Sequence, residues 1–220
     1  MATAQTIDRA LLGTICVILI VSIGVHLYDT TYFALTFAKE DGLVEYATAF
    51  GLLLCSMTFA THAGSLRRRG LTFAAVCTAL YALVFFLGAG EEVSWGQRIF
   101  GWESGEFFLE NNHQDETNLH NLVVGDLNLA KTVFGSGLTT VILLYLVALP
   151  LLYPRVGAIQ RLVDKFAVPV PALRHTALAI LTSLVIAVID QSRKWEVYEC
   201  IFSLLMLAII VMPQNREHTR

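Results

Sequence analysis

Charge is what this chain has least of. Of its 220 residues only 15% are Asp, Glu, Lys or Arg, while 55% are hydrophobic. A soluble domain carries roughly 25% charged residues because its surface faces water. A mean hydropathy of +0.62 therefore requires that much of the exterior meet something apolar. Paired cysteines are also missing. Cys16, Cys55, Cys77 and Cys200 each lie in a different apolar stretch, with no CxxC spacing, so they read as buried small side chains and not as disulfides or zinc ligands. No basic run accompanies aromatic residues, and the net charge is −3, which argues against nucleic acid as a partner. The first apolar stretch lacks a small-x-small cleavage pattern. It also exceeds the roughly 7–15 residues of a signal-peptide core, so it is expected to remain as a first span. Neither internal repeats nor low-complexity segments occur, leaving a single domain, 1–220, as the simplest organisation.

Long apolar runs are what the chain has in abundance. They fall at about 10–28, 43–65, 71–90, 123–153, 173–190 and 195–212; the fourth is long and the others are close to the roughly 20 residues a membrane helix needs. The fourth begins with the polar Asp126, Asn128 and Lys131, so its hydrocarbon-spanning part is expected at Val133 to Tyr153, with the earlier turns in the interface. The expected fold is all-α, a polytopic bundle of about six transmembrane helices. Basic residues orient it. Arg9, Arg67, Arg68, Arg69, Arg155, Arg161, Lys165, Arg174, Arg216 and Arg220 fall on one side, which predicts cytoplasmic N- and C-termini. Among the acids only Asp8, Asp164 and Glu217 share that side. The rest gather at the outer face, with Trp95, Trp102 and Trp195.

Every span brings an ionisable group to that outer level: His26 and Asp29, Glu40 to Glu45, Glu91 and Glu92, Asp190, then Glu196 and Glu199. Such groups are costly in a bilayer and usually pair or line a wet cavity. An outer segment at about 91–122 holds the rest of the cluster. If the approach to the fourth span is helical, His113, Glu116 and His120 share one face and Asn118, Asn121 and Asn128 a neighbouring one. Glu92, His113, Glu116 and His120 are thus candidate ligands for a divalent metal, although no HExxH-type motif is present. The competing reading is interfacial hydrogen bonding. Glu91, Glu92, Arg98, His120 and Asn121 are the candidate catalytic set, with a glutamate as general base. For Glu91, Glu92 and Arg98 the competing reading is a helix-terminal ion pair. His62 and His175 are expected to be solvated at the cytoplasmic ends, and His26 to pair with Asp29.

Three segments carry a resemblance: Glu40-Asp41-Gly42-Leu43-Val44-Glu45, the run Gly90-Glu91-Glu92-Val93-Ser94-Trp95-Gly96-Gln97-Arg98-Ile99-Phe100-Gly101, and Gln114-Asp115-Glu116-Thr117-Asn118-Leu119-His120-Asn121. Over roughly residues 29 to 128 the chain resembles a family of uncharacterised bacterial multi-pass membrane proteins. The resemblance implies the bacterial cytoplasmic (inner) membrane and adds no catalytic role. The glutamate pair is also similar to the motif of CAAX-type membrane proteases. Arg98 comes two positions too late for that motif, however, and its Phe-x-x-x-His is absent. What carries over is a chemical analogy, glutamate activating water with histidine assisting. The expectations are a hydrolase or transferase acting on a lipid or lipid-linked substrate, an accessory subunit docking a protein partner at its outer face, or a transporter that binds a cation or proton. Membrane lipids are expected partners in each case.

Overall fold

The computed structural model describes residues 2–112, 115–119, 122–124, 127–128 and 137–220. Helices dominate it. The long ones are α1 (Ala2–Tyr28), α3 (Leu43–Arg68), α4 (Thr72–Glu92), α10 (Leu173–Val188) and α11 (Lys194–Val211). Shorter helices are α2 (Thr30–Tyr32), α5 (Gln97–Phe100), α6 (Glu106–Asn111), α7 (Leu138–Leu143), α8 (Leu149–Leu152) and α9 (Gly157–Lys165). A π-helical turn, Leu144–Ala148, joins α7 to α8 as one rod. Among the described residues three helices, α1, α3 and α4, are long and apolar enough to cross a membrane.

α11 is the centre of the bundle, packed against α3, α1 and α10. Its Val197, Ile201, Leu205 and Ile209 are buried against Ile15 and Leu19 of α1 and Leu178 and Ile186 of α10. Small residues bring α3 closest. A methyl group placed on Gly51 would overlap Ser203 Oγ, and Cys55 Sγ approaches the Ser203 carbonyl at 3.5 Å. The outward faces remain apolar. α1 buries only Asp8, Ile15, Leu19 and Ser22, while Val17, Ile20, Val21 and Leu27 are exposed. An apolar exterior this extensive suits a lipid environment and not water.

Local chemistry sets the helix ends. α3 closes with Arg69 and Gly70 in a Schellman motif: Leu71 N–H donates to Leu66 O and Gly70 N–H to Arg67 O, each at 3.0 Å, with Gly70 at φ +77°. This left-handed position favours glycine. Pro150 has no N–H to give Leu146 O four residues back. That carbonyl instead accepts the Thr176 hydroxyl of α10 at 2.7 Å, so the proline creates a tertiary bond. At the start of α3, Glu45 reaches back to accept the Asp41 N–H at 2.6 Å.

The bundle has two chemically different ends. At one, both termini meet. Arg174 Nε and His175 Nε2 hold the buried Asp8 carboxylate at 2.8 and 2.7 Å, and Arg69 donates to the carbonyls of Glu217 and Arg220. Asn215 ties the tail to the 168–170 backbone. His175 is fully buried, which corrects its expected solvation: the Asp8 pair and the Ala172 N–H on its Nδ1 replace water. The other end carries the loops 29–42, 93–112 and 189–193.

Two expectations fail here. Among the described residues the approach to the fourth run is not helical: Val123–Val124 and Leu127–Asn128 form a short antiparallel pair, β1 and β2, and Asn112 bridges Leu122. Asp115 sits at φ +56°, outside helical space. Of the residues assigned to those helix faces, Glu116 and Asn118 therefore lie in non-helical backbone. Asp29 does not pair with His26 either. It caps α2 by accepting the N–H groups of Thr31 and Tyr32, while the His26 ring packs edge-on against Phe33.

Candidate functional site: a polar latch and a carboxylate cluster

α4 ends at Glu92 and the chain then turns through three successive left-handed residues, Ser94 (φ +44°), Trp95 (φ +55°) and Gly96 (φ +82°). Such conformations are unfavourable for residues other than glycine and persist only where surrounding bonds hold them. Gly90 makes room for the return. The Trp95 ring lies where a Cβ on Gly90 would be, 2.7 Å from the nearest ring atom. Trp95 Nε1–H donates to Glu91 Oε1 at 2.9 Å.

Residues 115–119 lie across this turn and lock it. Glu116 is the centre, buried with only 5% of its surface exposed. Its Oε1 accepts from Arg98 Nε at 3.1 Å and Nη2 at 2.8 Å. Its Oε2 accepts from Ser94 Oγ at 2.6 Å and Asn118 Nδ2 at 2.7 Å. These four bonds fill the acceptor capacity of a carboxylate. Asn112 Nδ2 donates to both oxygens of Asn118. Gln97 Oε1 accepts the Thr117 N–H at 2.8 Å and the Ser104 hydroxyl at 3.1 Å, and Glu91 Oε2 accepts the Leu119 N–H. Arg98 also lies 3.7 Å from Asp41. Hydrogen bonds to Glu116 are the main cause that holds its pKa above the ordinary arginine value; partial burial opposes the shift and the Asp41 charge adds to it. Beside it opens a groove of about 520 Å³ lined by Gln97, Arg98, Gly101, Trp102 and Asp115.

A second group is carried by α3, α4 and α11. Glu45 of α3, Glu92 of α4 and Glu196 and Glu199 of α11 are near enough for their charges to act on one another. Glu45, Glu92 and Glu196 are half-buried and Glu199 keeps exposed surface. Of the nearby cations Arg193 reaches one member, Glu196, and the others are engaged elsewhere. Arg193 bridges Glu40 and Glu196, Lys194 Nζ donates to Ile189 O at 2.8 Å, and Arg98 belongs to the latch. Among the described residues no lysine or arginine forms an ion pair with Glu45, Glu92 or Glu199.

The expected site residues thus separate. Glu91, Arg98 and Glu116 belong to the latch, and Glu92 belongs to the carboxylate cluster. His113, His120 and Asn121 lie outside the described residues. Glu116 does not suit a metal ligand, because arginine, serine and asparagine occupy both its oxygens. Among the described residues no three His, Cys, Asp or Glu side chains stand at ligand spacing. Ser94, Gln97, Ser104 and Thr117 were not singled out from the sequence. The only signal for them is their place in or near the two polar segments, and nothing in it says that those segments touch. No family model, curated protein or solved structure matches the chain.

Proposed function

We propose that this is a multi-pass membrane protein that binds a cation, a proton first of all, on the carboxylates of Glu45, Glu92 and Glu199. One observation carries the reading: carboxylates from three helices converge, and no lysine or arginine among the described residues pairs with these three. Crowded carboxylates repel one another until a shared proton or a bound cation relieves them. In this reading the rod 138–152, α10 and α11 cross the membrane with α1, α3 and α4, which makes six spans. Both termini are cytoplasmic, following the basic residues, and the cluster faces the outer leaflet of a bacterial inner membrane, in keeping with the family resemblance.

The groove beside Arg98 favours a second reading, a hydrolase or transferase for a lipid-linked substrate. Arg98 would meet an anionic headgroup and Glu92 would serve as the base. The two readings are separated by the melting temperature of the purified protein, followed from about pH 8 to about pH 6 and with added sodium, magnesium or calcium. Cation binding predicts that acid or one of the salts raises it, and that Glu92→Gln with Glu199→Gln removes the response. A wild-type protein indifferent to all of them overturns the cation reading.

A further inference from the structure

The end of the bundle that holds both termini has a basic surface that the carboxylate cluster does not use. Two acids at that end are already engaged. Asp8 is held by Arg174 and His175, and Asp164 accepts from Tyr153 and Asn215. Arg67, Arg68, Arg161 and Lys165 are exposed, and none forms an ion pair with a carboxylate among the described residues.

Lys165 is positioned with some care. It closes α9, and its Nζ stands 5.5 Å from the centre of the Phe73 ring at the start of α4. Phe166 packs edge-on against the same ring at 5.3 Å. Phe166 O accepts the Tyr81 hydroxyl at 3.1 Å, and Ala167 is buried with Leu66 and Ala75. These contacts fasten the end of α9 to the α3–α4 hairpin, so the ammonium group stands at the head of α4. From there an apolar stripe at helical spacing, Phe73, Val76, Leu80 and Val84, runs down α4, each residue 51–63% exposed. On α9, Leu162 is also exposed and lies beside the charged Arg161 and Lys165.

We propose that this corner is a binding site for an anionic phospholipid, with the phosphate against Lys165 and Arg68 and an acyl chain along the Phe73–Val84 stripe. The charge attracts an anionic headgroup more strongly than a zwitterionic one. The stripe begins where the charge ends, so one amphipathic molecule satisfies both, and a free anion would leave the stripe uncovered. An aromatic ring beneath the ammonium suits the headgroup level of a bilayer. The inference rests on the membrane reading of the chain and is independent of the carboxylate cluster at the opposite end.

The test uses the full chain in a neutral detergent. Resistance to alkaline carbonate extraction first establishes that it is membrane-integral; extraction into the wash would sink the membrane reading itself. Phosphatidylglycerol or phosphatidylcholine is then added and retained lipid is counted by native mass spectrometry. Phosphatidylglycerol is expected to be retained preferentially. Lys165→Gln and Arg68→Gln should each weaken that retention about fivefold, while Arg9→Gln, at the same end but away from the site, leaves it unchanged. Equal retention of the two lipids by the wild type overturns the proposal. So does full retention in the Lys165/Arg68 double variant, or displacement of the lipid by inorganic phosphate. If the double variant does not fold, a photoreactive phosphatidylglycerol on the wild type decides: labelling within 73–84 supports the site, and labelling confined to other segments overturns it.

Discussion

Arg98 gives two hydrogen bonds to a single oxygen of Glu116, from Nε at 3.1 Å and Nη2 at 2.8 Å, while Ser94 and Asn118 occupy the other oxygen. The pair joins segments eighteen residues apart in sequence and holds a left-handed turn at the end of α4. Its geometry is that of a fastening and not of a general base, because a carboxylate so fully bonded has no free lone pair for a substrate or a water.

Glu116→Ala is expected to destabilise the protein by about 2–3 kcal/mol, since it leaves Ser94 and Asn118 without their buried acceptor. Arg98→Ala should cost less, about 1–2 kcal/mol, because the guanidinium is half exposed and solvent screens it. A double-mutant cycle on thermal or denaturant unfolding checks the coupling. Additive losses would mean that the bond contributes nothing of its own.

Gly51→Ala is expected to cost about 1–3 kcal/mol, through overlap of the new methyl with Ser203 and separation of α3 from α11. Ser203→Gly in the same chain should restore most of it, because it removes the atoms the methyl meets. Melting temperatures of the single and double variants read this directly. A Gly51→Ala protein as stable as the wild type would show that the helices do not approach so closely.

Thr176→Val should cost about 1 kcal/mol by leaving Leu146 O without its donor. In a Pro150→Ala background the same change should cost much less, because the alanine restores a backbone N–H that can take that carbonyl within the helix. Equal losses in the two backgrounds would refute the link between the proline and the cross-helix bond.

Much of the helical framework is legible from the residues. The apolar runs at about 43–65, 71–90, 173–190 and 195–212 correspond to α3, α4, α10 and α11, because a run of that length can satisfy its backbone in apolar surroundings only as a helix. Residues 115–119 misled. Glu116 and Asn118 suit a helical spacing in sequence, and periodicity cannot reveal that side chains elsewhere will draw a segment out of a helix. Arg98 illustrates this, since the glutamate it meets is Glu116 and not the adjacent Glu91 or Glu92.

By itself the sequence determined the apolar exterior, the helices and the gathering of acids at one level, since these follow from composition and from the order of apolar and polar residues. Tertiary structure alone decided which carboxylates are satisfied. Glu91 and Glu92 are neighbours, yet a helix turns consecutive side chains about 100° apart. One is therefore bonded to Trp95 and Leu119 and the other turned among the glutamates of α3 and α11. That division depends on which helices pack together, which local order does not encode.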